Sequence, residues 1–511
     1  MARCSVLAAR CSVLALALAI APAARAATCE RLASLSLPNT TITMAQGVAA
    51  GSFALPAARG RGGANPFADL PAFCRVAATL KPSSDSDIKM ELWLPVYAEG
   101  QASQAGHWNG KYQAVGNGNW AGAINYNAMA SALRRGYATS STDTGHSSTG
   151  ASFAFGHPEK LIDYAYRSEH EMTVVSKAIV GAMFGSAPSR SYWNGCSTGG
   201  RQALVEATKF PDDFDGIIAG AAANPKTHLD AWRMWMAQIA MKDDADRIPV
   251  SKYALIHQTV LAQCDALDGL KDGLLENPTK CRFDPRPIIC QGSDGADCLT
   301  PRQADAARAL MGPAKTPAGK AIFPGYAPGA ELGWGLLLGD KDPYSVPLDQ
   351  YRYIVFNNPD WDWRTFDLER DLAAAEKAGA GTLTGVNTNL SAFTKHGGKL
   401  LMYHGWADQD VPPLASVNFY ESIQPKSARE GVRLFMAPGM NHCTGGEGPS
   451  VFDAVGSLER WIEHGQPPDR MVASHFTEGI VDRTRPLCAY PQTAHYKGSG
   501  DINDAENFVC K

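Results

Sequence analysis

Two glycines bracket a serine in Gly195-Cys196-Ser197-Thr198-Gly199, inside the run YWNGCSTGGRQ at 192–202. Glycines at those positions suit a sharp strand-to-helix turn, where the backbone packs too tightly for side chains and the central hydroxyl is lifted clear of a sheet. Gly200 relieves the same crowding. A serine so placed can attack an acyl carbon, provided that a base takes its proton and an acid orients the base. When the three stand on loops after successive strands, their chain order is serine, acid, histidine. The apolar run KLLMYHG is followed by WADQDVP, which offers Asp408 and Asp410, and VRLFMAPG is followed by MNHCTGG, which offers His442. Asp408, three residues past Gly405, is the preferred acid; Asp410 precedes Val411-Pro412 and could simply start a turn. His404 is a rival base, but it stands at a strand end ahead of the acid and breaks the order.

Cys196 abuts Ser197, and Cys443 abuts His442. If serine and histidine lie within hydrogen-bond reach, their neighbours lie within disulfide reach, about 5.5–6 Å between Cα atoms. Such a bridge would staple the nucleophile loop to the base loop and preorganise their contact. It would close a loop of about 250 residues, for which chain-entropy arguments give about 4–5 kcal/mol. A thiolate role for Cys196 is the weaker reading, because an exported thiol among an even number of cysteines oxidises.

The elements that must hold these residues follow from the patterning. The N-terminus reads as an export signal: Arg3 and Arg10, the apolar run VLALALAIA (13–21), then Ala24-Arg25-Ala26 as a cleavage site. The run is too short to span a bilayer. The mature chain is expected to start near Ala27 and to be secreted or periplasmic. Of twelve cysteines, Cys4 and Cys11 leave with the signal, and the even remainder implies disulfides. No CxxC pair supports a zinc site. A formal net charge of −4 points to neither a nucleic-acid nor an anionic-membrane partner. Strands are expected at 88–97, 111–122, 136–146, 189–195, 214–222, 397–405 and 431–439, with helices at 160–184, 201–210 and 451–465; strands alternating with helices mean an α/β fold with a mainly parallel sheet. Between 224 and 390 the rhythm breaks into a proline-rich stretch with four cysteines, read as an insertion over the functional edge of the sheet.

The coupled motifs GCSTGGRQ and PGMNHCTGG, with YHGWAD between them, resemble the tannase/feruloyl esterase family, and the likeness extends to CDALDGLKDGLL and to RTRPLCAYPQTAHYKGSGDIN near the C-terminus. The resemblance implies an α/β-hydrolase sheet (residues 27–223 and 391–511) with a large inserted lid domain (224–390) behind the signal peptide (1–26). It implies Ser197 as nucleophile, Asp408 as acid and His442 as base. The oxyanion would be held by the amide of Thr198 and by one from the glycine-rich loop GNGNWAG, for which Gly118 is the best choice. It further implies the pairs Cys29–Cys74, Cys264–Cys281, Cys290–Cys298 and Cys488–Cys510 beside Cys196–Cys443. The family's terephthalate-ester hydrolase carries a glutamate where Thr198 stands, which warns against transferring its substrate.

CDALDGLKDGLLENPTKC (264–281) interleaves Asp265, Asp268 and Asp272 with glycines. Solvated turn carboxylates are the plain reading, and Leu267 and Gly269 rule out an EF-hand. The resemblance implies a structural calcium on Asp265, Asp268 and Asp272 with the carbonyls of Leu270 and Leu274. No organic cofactor is expected. The function expected is that of an exported serine carboxylesterase for small aromatic esters, feruloyl (hydroxycinnamate) esters first, then gallate esters and terephthalate monoesters. The last would need a cation such as Arg352. Among Trp232, Trp235, Trp334, Tyr351, Tyr353 and Phe356, one or two are expected to touch the aromatic acid. A catalytically silent, calcium-stiffened binding protein is the alternative of a different class. The sequence leaves the oligomeric state open.

Overall fold

The structure is a computed structural model that describes residues 28–55, 65–96, 107–384 and 386–511; the expected signal peptide lies outside the described residues. A nine-stranded sheet organises it: β1 (Thr40–Val48), β2 (Phe73–Leu80), β3 (Ile88–Pro95), β4 (Lys111–Val115), β5 (Ala138–Thr142), β6 (Arg190–Cys196), β7 (Gly216–Gly220), β8 (Lys399–Gly405) and β9 (Val432–Ala437). Their spatial order is β1-β2-β3-β5-β4-β6-β7-β8-β9. From β5 to β9 every pair is parallel, and β1 to β3 extend the sheet antiparallel. This is the arrangement of an α/β hydrolase. The parallel strands are short and buried on both faces, as a sheet covered by helices requires.

Helices α1 (Tyr126–Arg134), α2 (Ser168–Phe184), α3 (Thr198–Lys209), α4 (Lys226–Ala240) and α5 (Ala454–His464) flank or follow the sheet. α5 shows how local sequence fixes an element. Asp453 caps its first turn by accepting from the Gly456 amide at 2.9 Å, Gly465 ends it at φ 66°, and Leu458 and Trp461 bury its inner stripe.

β3 lies inside the sheet, so Lys89 is its one exposed residue, and Glu91 is accommodated there by Arg75 and by Trp93 Nε1 at 3.0 Å. The stretch expected as a helix over 160–184 is helical from Pro158 to Phe184, with a wide π turn at Asp163–Arg167 between Pro158–Ile162 and α2, where Arg167 reaches back to Asp163 (2.6 Å) and Glu159 (2.7 Å). The edge strands β1 and β2, and a hairpin of β10 (Arg470–Thr477) and β11 (Ile480–Cys488), carry no strong alternation and escaped the sequence reading.

Among the described residues, 221–398 give no strand to the large sheet. They bury a core of their own, with Trp232, Trp334 and Tyr351 fully enclosed, and Val411 and Ala415 join it from the segment after β8. The cysteines pair as Cys29–Cys74, Cys196–Cys443, Cys264–Cys281, Cys290–Cys298 and Cys488–Cys510.

Candidate active site

Ser197 sits at the point where β6 turns into α3, with φ 63° and ψ −122°, a conformation that a non-glycine residue adopts only under constraint. The turn is locked on both sides. Ser197 N donates to Gly220 O at 3.0 Å, and Ser197 O accepts from Arg201 N and Ala223 N at 3.0 and 3.1 Å. The glycines have steric reasons to be glycines: a Cβ on Gly199 would meet Gly116 Cα and Asn117 O at 3.1 Å, and one on Gly200 would press into Gly220 and Ala222. Arg201 is buried and ties α3 to the carbonyls of Tyr164 and Ala165.

His442 lies on the loop after β9. Its Nδ1 is 2.7 Å from Oδ2 of Asp408, which is fully buried after β8. Asp408 is held by four donors. Oδ1 accepts the amides of Asp410 and Val411, both at 2.8 Å, and Oδ2 accepts His404 Nε2 at 3.0 Å as well as His442. His404 is therefore no rival base. It is fully enclosed, with Ser416 Oγ at 2.7 Å on its other nitrogen, and it props the acid. Burial opposes ionisation of Asp408, but the charge of His442 and the histidine hydrogen bonds outweigh it and hold the carboxyl far below the carboxylate range. Burial likewise presses His442 toward neutrality; the charge and hydrogen bond of Asp408, with the charge of Asp410, prevail and raise it to about 9.

Nε2 of His442 is buried without a hydrogen-bond partner among the described residues. His442 borders a cavity of about 520 Å³ lined also by Ser197, Cys196, Cys443, Asn117, Gly118, Asn119, Asp410, Leu336 and Tyr344 among others. The expected serine–histidine hydrogen bond is thus not formed here, although both residues face one cavity; such bonds are often long in free enzymes and tighten around substrate. Cys196 and Cys443, joined as a disulfide, bind the two loops to each other.

Gly118 lines the cavity, and the amides of Thr198 and Gly118 donate to no protein acceptor among the described residues. Gln202 of α3 sets the Gly118 loop: its Oε1 accepts from Asn117 N at 3.0 Å and its Nε2 donates to Asn117 Oδ1 at 3.2 Å. The sequence reading missed Gln202, although it stands in the same GGRQ run.

A family model described as tannase and feruloyl esterase matches residues 74–336 and 347–511. The chain belongs to the tannase and feruloyl esterase family. An uncharacterized esterase of Xanthomonas campestris pv. campestris is 36% identical, across 97% of this chain and 93% of its own. A probable feruloyl esterase B-1 of Aspergillus flavus is 32% identical over 86% of each chain. The crystal structure of feruloyl esterase B from Aspergillus oryzae superposes with a TM-score of 0.86 at 29% identity, covering 94% of this chain and 99% of that one. The protein is accordingly a carboxylic ester hydrolase.

Other expected site residues of this esterase fall elsewhere. Arg352 is not among the residues that line the Ser197 cavity, and its Nε donates to Trp361 O at 3.4 Å. None of Trp232, Trp235, Trp334, Tyr351, Tyr353 and Phe356 lines the cavity either, because the insertion spends them on its own packing. Its contributions are Leu336 and Tyr344. In the 264–281 loop, Asp265 accepts the amides of Asp272 and Gly273, Asp268 those of Leu270 and Glu276, and Asp272 that of Leu274 while also pairing with Arg485. Burial, with the charges of Asp272 and Asp265, lifts the carboxyl of Asp268 above its usual range. This all-oxygen, anionic donor set suits a hard divalent cation chemically. The aspartates do not converge to coordinating distance, however; among the described residues only Cys290, Asp294 and Cys298 do, and those sulfurs are joined to each other.

Proposed function

We propose that the protein is an exported serine esterase that hydrolyses small aromatic esters, feruloyl esters foremost, through Ser197, His442 and Asp408. The observation that carries this reading is the orientation of His442. Asp408 takes Nδ1–H, so the lone pair of Nε2 is the one presented to the cavity that Ser197 lines. Ser197 Oγ attacks the ester carbonyl as Nε2 takes its proton. The amides of Thr198 and Gly118 receive the oxyanion, the alcohol leaves with the proton, and water repeats the sequence on the acyl-enzyme. Asp408 keeps the tautomer and stabilises the imidazolium.

Two features favour a neutral aromatic acid. Relatives are named as probable feruloyl esterases, and among the described residues the cavity lining contains a carboxylate, Asp410, and no lysine or arginine. A terephthalate monoester would bring its own free carboxylate into that lining uncompensated. The segment over residues 224–390, which supplies Leu336 and Tyr344, would act as the lid domain. A calcium around which the carboxylates of Asp265, Asp268 and Asp272 close, with the carbonyls of Leu270 and Leu274, would stiffen its base, away from the chemistry. Side-by-side kcat/KM on methyl ferulate, methyl gallate and mono(2-hydroxyethyl) terephthalate tests the substrate order. A Ser197→Ala enzyme that keeps wild-type rates sinks the mechanism.

A further inference from the structure

Asp410 stands on the serine-facing side of the base. Its Oδ2 is 3.5 Å from Nε2 of His442, and the residue lines the Ser197 cavity. Its Oδ1 is taken by Arg233 at 2.5 Å. Arg233 in turn holds Asp230 at 2.9 Å, and Asp230 holds Lys226 at 2.8 Å. All four are buried. Their charges alternate, two cations against two carboxylates, so the buried cluster is compensated within itself. Oδ2 receives no protein hydrogen bond among the described residues. A carboxylate clamped at one oxygen and open toward a substrate cavity at the other is a ready acceptor, and far more than the turn-starter that its sequence context implied.

During acylation the bond from Ser197 Oγ to the carbonyl carbon forms, the bond from that carbon to the alcohol oxygen breaks, and Nε2 delivers its proton to the departing oxygen. That oxygen must therefore pass within hydrogen-bond reach of Nε2. A hydroxyl on the adjacent carbon of the alcohol lies about one hydrogen-bond length, roughly 2.8 Å, from the departing oxygen, which brings it to Oδ2 of Asp410. We propose that Asp410 is a specificity-determining residue that accepts a hydrogen bond from a hydroxyl next to the scissile ester oxygen, so that the enzyme takes esters of glycol-like alcohols, sugars among them, ahead of esters of simple alcohols. This rests on the serine–histidine reading above and extends it to the alcohol half of the substrate.

The test compares 2-hydroxyethyl ferulate with 2-methoxyethyl ferulate. The two share the acid and have leaving oxygens of similar acidity, but only the first carries the donor. Wild-type kcat/KM should favour the hydroxyl ester by on the order of ten- to a hundred-fold, the discrimination of a site whose charged acceptor is otherwise left unpaired. Asp410→Asn should shrink that ratio several-fold, and any effect on the base falls equally on both esters. A wild-type ratio near one overturns the assignment, as does an undiminished ratio in a folded, active Asp410→Asn enzyme. The wild-type comparison needs no variant, so misfolding of Asp410→Asn leaves the test intact. Failure of the underlying mechanism reads differently: Ser197→Ala would then hydrolyse both esters as wild type does.

Discussion

Cys196 and Cys443 are 247 positions apart in sequence and 5.9 Å apart at their Cα atoms, and each is the chain neighbour of a residue that faces the cavity, Ser197 or His442. The bridge thus acts where the strands alone leave slack, between two loops that β7 and β8 separate in the sheet. Replacing both cysteines by serine should lower stability by about 4–5 kcal/mol on the chain-entropy estimate. It should also lower kcat at least about tenfold with a smaller change in KM, because what is lost is alignment and not binding surface. Thermal melts and steady-state kinetics on methyl ferulate check both. A double variant with normal kcat would reduce the bridge to a purely stabilising element.

The pH profile follows from His442. It must be neutral to accept the Ser197 proton, and its pKa is raised to about 9 in the free enzyme. kcat/KM should therefore rise with pH, close to tenfold per pH unit well below that value, and level off above about 9. The stability sign is opposite. A histidine raised from its unfolded value of 6.5 contributes fully below that pH and loses its contribution as pH climbs through about 9. The protein should melt lower at pH 9.5 than at pH 6.5 while hydrolysing faster. Asp408→Asn removes the main raising influence and should shift the activity rise to lower pH, with a loss in kcat of about 10³–10⁴-fold from the wrong tautomer.

Much of the candidate site was legible because strand ends announce themselves. KLLMYHG and VRLFMAPG are compact apolar runs closed by glycine, so the first polar residues beyond them had to be loop residues at one end of a parallel sheet. The adjacent cysteines supplied the pairing of those loops. What stayed hidden was long-range. Nothing in WADQDVP shows that Asp410 will meet Arg233, 177 positions earlier, or that His404 will turn inward onto Asp408 and leave the base's place to His442. The aromatic residues of the insertion misled for a related reason. Clustering in sequence reported their shared core, and the cavity instead took Leu336 from the short helix Gly335–Leu338 and Tyr344 from the stretch after it.

Calcium can be tested apart from catalysis. If Asp265, Asp268 and Asp272 hold the ion, removing it with a chelator should lower Tm, and restoring calcium should restore it. Saturation at about a hundred times Kd corresponds to about 2.7 kcal/mol. Asp268→Asn should blunt the calcium response, since it removes one of three mutually repelling carboxylates as well as a ligand. Activity measured well below Tm should change little. A Tm indifferent to calcium and chelator in the wild-type protein would leave this loop as hydrogen-bonded turns, tied outside itself by Arg485 on the Asp272 carboxylate and Arg483 on the Asp272 carbonyl.

Gly199 offers the sharpest test of the proposed oxyanion site. A methyl there would meet Gly116 Cα and Asn117 O at 3.1 Å, and Gly199 N donates to that same Asn117 O at 2.8 Å. The contact is tighter than ordinary packing, so α3 and the Gly118 loop must move apart by a few tenths of an ångström. Gly199 itself has ordinary helical backbone, and alanine is the better helix former, so the local helix term favours the substitution. The cost falls on the distance between the amides of Thr198 and Gly118, which must converge on one oxygen. Losing one well-placed donor costs about 10²–10³ in kcat, and a partial displacement should cost less, roughly ten- to a hundred-fold. Gly199→Ala should therefore keep a Tm near wild type, leave KM for methyl ferulate nearly unchanged and lose kcat. If KM rises while kcat holds, the loop binds ground-state substrate and the oxyanion must be received elsewhere.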